Sequence, residues 1–129
     1  MDSYNFEEFK SVGGRYNMVI TLGKSERFYL GGAFCRKYDI ASMVGVKLML
    51  DKSKLAVGFK FVKEKQEGTI DLKKLQDDSY YINAKAFLGM YDLSASKYAK
   101  RYTPVEITNA DGSKIFVIHL QDTTALVPN

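Results

Sequence analysis

Two residues of this chain have side chains that could act together as a nucleophile and a base. Cys35 is the only cysteine and His119 the only histidine, and a thiol beside an imidazole is one pair that nucleophilic catalysis uses. His119 is far from Cys35 in sequence and lies between Ile118 and Leu120, which is typical of a partly exposed strand histidine. A dyad stays geometrically open, but we expect a protein that is not an enzyme.

Metal and phosphate sites need residue clusters that this sequence does not offer. One cysteine and one histidine cannot build a structural zinc site, which takes four such ligands. Asp77-Asp78 could bind a hard cation, although a helix cap or a solvated charge pair is the more ordinary role. Turn geometry explains Gly13-Gly14 and Gly31-Gly32, because a phosphate loop needs a longer glycine pattern with a lysine. We therefore expect no metal and no cofactor.

Basic residues provide a third kind of chemistry, contact with anions. Nineteen Lys and Arg against fifteen Asp and Glu give a net charge of +4, a mild bias toward partners such as nucleic acid. The segment Lys97-Tyr-Ala-Lys-Arg-Tyr102 interleaves cations with aromatic rings, which suits phosphate contact and base stacking. Cations that only keep a β-rich surface soluble are the other interpretation. The residues predicted to contact nucleic acid are Arg15, Lys24, Arg27, Arg36, Lys37, Lys97, Lys100 and Arg101.

The elements that must position these residues follow one order twice. In the first half, the patterns predict strands over 15–22 and 27–30, a short helix over 33–38, and a hairpin of strands 44–50 and 55–62. In the second half, they predict a strand over 79–82, a short helix over 84–91, and a hairpin of strands 101–108 and 114–120 around the turn Asn109-Ala-Asp-Gly112. The polar segment 63–78 between the halves is predicted to be a linker with a short helix near Leu72 to Gln76.

Two segments within these halves have closely similar sequences. Phe28-Tyr-Leu-Gly-Gly-Ala-Phe-Cys-Arg-Lys-Tyr-Asp-Ile40 and Tyr80-Tyr-Ile-Asn-Ala-Lys-Ala-Phe-Leu-Gly-Met-Tyr-Asp-Leu93 share an aromatic pair, Ala-Phe and a closing Tyr-Asp-aliphatic, with one insertion. A unit of strand, short helix and hairpin is too small to bury its apolar face alone, so two packed copies are a physical solution. The similarity indicates an internal duplication.

We expect a β-rich α+β fold in which two related strand–short helix–β-hairpin units pack as one compact domain. The length of 129 residues suits a single core. A barrel with swapped hairpins is one arrangement open to such units. The expected parts are an N-terminal unit over 1–62, the linker over 63–78, a C-terminal unit over 79–120 and a flexible tail over 121–129.

This order of elements resembles the AbrB, MazE and MraZ superfamily of swapped-hairpin DNA-binding proteins. MraZ carries two such units in one chain, and the resemblance covers about residues 15–62 and 79–120. The family usually has Ile-Pro after the first strand and a Gly-x-x-x-Gly-Asp loop after the helix. Here Gly31-Gly32 follows Leu30, and only Gly45 matches a loop glycine. The resemblance therefore implies a fold, and no residue is carried over as a specific DNA contact.

Together these observations predict a small DNA-binding transcriptional regulator that contacts the phosphates of duplex DNA and can form a homodimer. The alternative is a non-catalytic protein-interaction or structural accessory module, for example of a virus or mobile element, that binds no nucleic acid. A single cysteine suits a reducing compartment. The N-terminal residues do not resemble a signal peptide, and no apolar stretch is long enough to span a bilayer. We therefore expect a cytoplasmic protein without a membrane partner.

Overall fold

The chain folds into two antiparallel sheets with short helices between strands. The computed structural model describes Tyr4 and residues 18–123. The strands are β1 Ile20–Gly23, β2 Arg27–Leu30, β3 Gly45–Asp51, β4 Ala56–Val62, β5 Ile70–Asp71, β6 Lys73–Lys74, β7 Tyr80–Asn83, β8 Lys100–Tyr102, β9 Val105–Thr108 and β10 Lys114–His119. The helices are α1 Gly32–Lys37, α2 Lys85–Met90 and α3 Ala95–Tyr98, with a 3-10 turn at Ile40–Ser42. This content confirms the β-rich α+β class.

Within the described residues, each sheet has five strands, and two of them are its edge strands. Sheet A has the order β6-β7-β2-β1-β8, and sheet B has the order β5-β3-β4-β10-β9. The predicted first hairpin is present as β3 and β4, and the predicted second hairpin returns through β9 and β10. The two sheets are joined in sequence at several points, since β2 leads through α1 to β3 and β8 leads directly to β9.

The inner faces of the two sheets share one aromatic and aliphatic core. Phe28 of β2 meets Phe59 of β4 edge to face, with ring centroids 5.0 Å apart, and both rings are fully buried. Phe34 of α1 packs against Phe116 of β10 at 4.9 Å. The alternation of apolar and polar residues predicts which strand positions turn inward, because successive side chains point to opposite faces. Burial of these aromatic and aliphatic side chains together supplies the dominant favourable term in folding.

The segment 63–78 differs from its predicted structure. It contains β5 and β6 instead of a helix near Leu72 to Gln76. Lys73 and Lys74 pair with Tyr81 and Tyr80 at the edge of sheet A. An isolated helix of this length is marginal in water, so the hydrogen bonds offered by two existing sheet edges prevail over the weak helical pattern. The prediction of a helix in this segment was wrong.

The predicted strand over 101–108 is divided between the two sheets. Its first part is β8, paired with β1 in sheet A, and its second part is β9, paired with β10 in sheet B. Thr103-Pro104 separates them, and a proline ends strand pairing because it has no N–H to donate. The helix α3, which Ser94 caps by accepting from the Lys97 N–H, was not predicted. Of the segments predicted over 15–22 and 121–129, residues 15–17 and 124–129 lie outside the described residues.

Candidate nucleic-acid interface

The outer face of sheet A carries a row of side chains that crosses all five strands. Because Phe28 and Ile82 point into the core, their neighbours Tyr29 and Tyr81 point outward. The strand register joins side chains directly opposite one another on this face. We call them the outer row; in order across the sheet they are Lys73, Tyr81, Tyr29, Thr21 and Arg101.

The outer row has aromatic rings at its centre and a cation at each end. Lys73 and Arg101 are exposed, whereas Tyr29 and Tyr81 are half-buried. Neighbouring strands lie about 4.8 Å apart, so four steps place the two end cations about 19 Å apart at their backbones. None of the five residues is acidic. The arrangement can therefore attract an anion at either end and offer rings between them.

Arg27 adds a third cation beside the outer row. Its guanidinium carbon lies 4.5 Å from the centroid of the Tyr81 ring, which is a cation–π contact. The Tyr29 and Tyr81 rings have centroids 6.0 Å apart and are tilted by 40°. The Tyr29 hydroxyl also lies 3.3 Å from the Ser25 hydroxyl. That hydrogen bond, with a smaller effect from Arg27, holds the pKa of Tyr29 below its ordinary value despite partial burial.

A shallow cavity of about 460 Å³ opens beside the row, where Thr21, Tyr29, Arg101 and Asp77 are among its lining residues. Asp77 is the acidic residue at its rim, and hydrogen bonds from the Ser79 hydroxyl and N–H hold its pKa below the ordinary value. The carboxylate therefore stays charged at neutral pH. An anion should be drawn to the row and away from this rim, because like charges repel.

The structure brings together two of the cations predicted from the sequence. Arg27 and Arg101 lie on the outer face of sheet A, on either side of β1. Lys24 lies in the exposed turn between β1 and β2, at one end of the same sheet. Arg15 lies outside the described residues. Lys73 was missed, because its segment was predicted to be a linker.

The other predicted cations are directed elsewhere. Arg36 pairs with Asp78 at 3.2 Å, and Lys97 pairs with Asp122 at 3.6 Å. Lys100 faces the inner side of β8, opposite Leu22, and donates to the Gln121 side chain. Lys37 follows Arg36 on α1 and lines a different cavity, of about 480 Å³, with Lys60, Lys114 and aromatic residues of the core rim. These four residues do not extend the outer row.

Cys35 and His119 do not form a reactive pair in this fold. The Cys35 thiol is buried in the core and donates to the Leu30 carbonyl oxygen at 3.6 Å. Burial raises the pKa of this thiol to about 12, so it is neutral at physiological pH and a poor nucleophile. His119 is exposed and lines the outer face of sheet B. Within the described residues, no three His, Cys, Asp or Glu side chains cluster closely enough to hold a metal ion.

The outer face of sheet B is apolar and contrasts with that of sheet A. Across it, the register aligns Met49, Gly58, Val117 and Val105 on neighbouring strands. Met49 is 38% exposed, Val105 55% and Ile107 44%, and they line a shallow cavity of about 480 Å³. An exposed apolar cluster on a sheet face is typical of a contact surface for another protein.

Comparison with known proteins adds no family to these observations. No family model, no curated protein and no solved structure matches the chain. The resemblance to the AbrB, MazE and MraZ superfamily therefore stays a prediction. Among the helices of residues 18–123, none has the length and apolar character needed to cross a membrane.

Proposed function

We propose that this chain is a small nucleic-acid-binding protein that holds phosphates with the cations on the outer face of sheet A. The observation that carries the proposal is the juxtaposition of Arg27, Arg101 and Lys73 around two tyrosines on one exposed face. Arg and Lys side chains supply the phosphate contacts that dominate nucleic-acid affinity. The net charge of +4 acts in the same direction over longer distances.

The end cations of the outer row are spaced widely enough to reach phosphates of duplex DNA, the partner expected from the sequence. The end cations lie about 19 Å apart across the sheet, whereas the major groove of B-DNA is about 12 Å wide. Lys73 and Arg101 could thus reach phosphates on both sides of a groove. The proposal includes a role in transcriptional regulation. Its support is the resemblance to the AbrB, MazE and MraZ superfamily.

Binding to a short duplex at low salt tests this proposal. Arg27→Glu with Arg101→Glu should weaken binding strongly and reduce the slope of log affinity against log salt by about one for each phosphate contact removed. Lys54→Glu with Lys63→Glu is the matched control, because both lysines are exposed at the two ends of β4 in sheet B. Fluorescence anisotropy with a labelled duplex measures both effects. Equal weakening by the control pair would contradict the assignment to sheet A.

We also propose that the two halves are duplicated units, with hairpins exchanged between them. In sheet A, β2 of the first half pairs antiparallel with β7 of the second, and in sheet B, β4 pairs antiparallel with β10. Such antiparallel pairs arise when two similar units meet about a twofold axis. The duplication would explain why Tyr29 and Tyr81, one from each half, stand directly opposite one another.

The two helices support the same relationship. The ring centroids of Phe34 in α1 and Tyr38 just after it are 5.1 Å apart. Those of Phe87 in α2 and Tyr91 just after it are 5.2 Å apart. Each tyrosine is followed by an aspartate in the left-handed region, with φ of 52° at Asp39 and 54° at Asp92. Matching rings and matching unusual dihedral angles at one spacing favour common descent of the two units.

A second candidate function is a protein-interaction module that uses the apolar outer face of sheet B. The proposed occupant is a second copy of the chain. The strand β9 is an edge of sheet B and all four of its residues are exposed. Packing of two copies face to face about a twofold axis would bury both apolar clusters.

Sedimentation at increasing concentration tests this dimer. Val105→Glu should abolish self-association, because Val105 is on the apolar face. Thr108→Glu is the control, since it adds the same charge to the same strand while Thr108 follows Glu106 on the opposite face. A chain that sediments as a monomer at all concentrations would exclude the dimer.

A further inference from the structure

We propose that Tyr29 and Tyr81 form a stacking platform for unpaired bases, so that the preferred ligand is a single-stranded segment of nucleic acid. The inference rests on the proposed function, because it names the ligand of the same face. Phosphate contacts alone do not distinguish single strands from duplexes. The feature that does so here is the pair of aromatic rings between the cations.

The first argument is the position of the rings. Tyr29 and Tyr81 are a directly opposed cross-strand pair on the outer face of sheet A. Their centroids are 6.0 Å apart with a tilt of 40°, so the two rings lie side by side and do not cover one another face to face. Bases of a single strand stack on aromatic side chains presented by a sheet in this way.

The second argument is the glycine beside Tyr29. A Cβ atom placed on Gly23 would lie 3.0 Å from Cε2 of the Tyr29 ring. The edge of the ring therefore lies against the backbone of β1 at Gly23, and a Cβ atom there would shift it by a few tenths of an ångström. Tyr29 is half-buried in this position, so part of its ring stays accessible to a ligand.

The third argument is the kind of cation present. Arg27 lies over the Tyr81 ring at 4.5 Å. A guanidinium plane is itself a surface on which bases stack, and Arg contributes cation–π energy where Lys contributes mainly charge. Arg27 and Tyr81 can thus act as a layered pair, while Lys73 and Arg101 at the ends of the outer row hold the phosphates.

A duplex cannot use this platform. Its base faces are occupied by stacking within the helix, and a protein reaches only base edges and phosphates unless the strands open. Two tyrosines facing a closed duplex would gain little, whereas each stacked base contributes substantially to single-strand binding. The structure therefore favours single strands over duplexes of the same length and sequence.

Anisotropy titrations with three probes at low salt test the inference: a short single-stranded DNA, a single-stranded RNA of the same sequence, and the corresponding DNA duplex. We expect the single strands to bind roughly tenfold more tightly than the duplex. Tyr29→Leu and Tyr81→Leu should each lower single-strand affinity roughly tenfold and leave duplex affinity unchanged. Tyr29→Phe and Tyr81→Phe should retain binding, because they keep the ring.

The outcomes separate this inference from the proposed function. If the duplex binds as tightly as the single strands, or if the leucine variants bind all probes like the native chain, the stacking platform is wrong and phosphate binding stands. If no probe binds, both proposals fail.

Discussion

At the scale of single residues, the core that surrounds Cys35 determines its ionisation. The side chain is 3% exposed, and burial is the main reason that its pKa rises from 9.0 to about 12. A buried thiolate would lack the solvation that it has in the unfolded chain. The lone cysteine is therefore a packing residue, although its residue type had left a catalytic role open.

The raised pKa of Cys35 predicts a pH dependence of stability. The folded thiol keeps its proton above pH 9, where the unfolded thiol loses it. The contribution of the buried thiol to the unfolding free energy is therefore complete below about pH 9 and is lost between about pH 9 and 12. The difference in unfolding free energy between the native chain and Cys35→Ala should shrink between about pH 8 and pH 10.5. Urea unfolding at both pH values measures it, and a constant difference would contradict the assignment.

Position 45 requires glycine because the backbone at Ile70 approaches it closely. A Cβ atom there would overlap the Thr69 methyl group and lie 2.7 Å from the Ile70 carbonyl oxygen. Gly45 pairs with Asp71 of β5, so the strand approaches it closely. The one glycine that matched the loop of the resembled superfamily thus has a packing reason in this fold.

Gly45→Ala should lower the unfolding free energy by about 1–3 kcal/mol, which is the usual cost of overpacking. Gly89→Ala is the matched control, because a Cβ atom at Gly89 meets nothing within 4 Å and α2 gains a better helix former. That variant should be about 0.5–1 kcal/mol more stable than the native chain. Denaturant unfolding compares the two, and destabilisation of similar size by both substitutions would refute the packing argument.

At the scale of elements, local patterns predicted the central strands well. The strand predicted over 27–30 matches β2. The helices α1 and α2 begin and end within one or two residues of their predicted bounds. These segments have strong apolar periodicity, and their partners are other buried strands. Local pattern suffices where burial on one face decides the structure.

The patterns failed where distant partners decide the structure. The residues near Lys73 form a strand only because the edge of β7 is available to pair with them. The segment over 101–108 reads as one strand, but Pro104 directs its two parts into different sheets. Neither partner can be identified from the periodicity of the segment itself, since register between remote strands is not encoded locally.

The proposed duplication predicts matched behaviour of Asp39 and Asp92. Both have φ near 50°, a conformation that costs a residue with a side chain more than it costs glycine. Asp39→Gly and Asp92→Gly should each raise the unfolding free energy, by about 0.5 kcal/mol after the added entropy of the unfolded chain is subtracted. Thermal unfolding of both variants measures this. A gain in one and a loss in the other would argue against equivalent positions.

At the scale of the whole molecule, the two sheets present different surfaces. The outer face of sheet A is cationic and aromatic, while that of sheet B is apolar around Met49 and Val105. The sequence indicated a mild positive charge and several candidate cations. It could not show that Arg27 and Arg101 share a face while Arg36 and Lys97 are paired with carboxylates, because those contacts join residues far apart in the chain.

The most direct test of binding at sheet A is an NMR titration of the native chain with a short single-stranded oligonucleotide. We expect amide shifts to change along β1, β2, β7 and β8, with the largest changes near Tyr29, Tyr81 and Arg101. Amides around Met49 and Val105 in sheet B should not move. Shifts confined to sheet B, or none at concentrations that saturate ordinary nucleic-acid-binding proteins, would contradict the assignment of the outer row as the binding site.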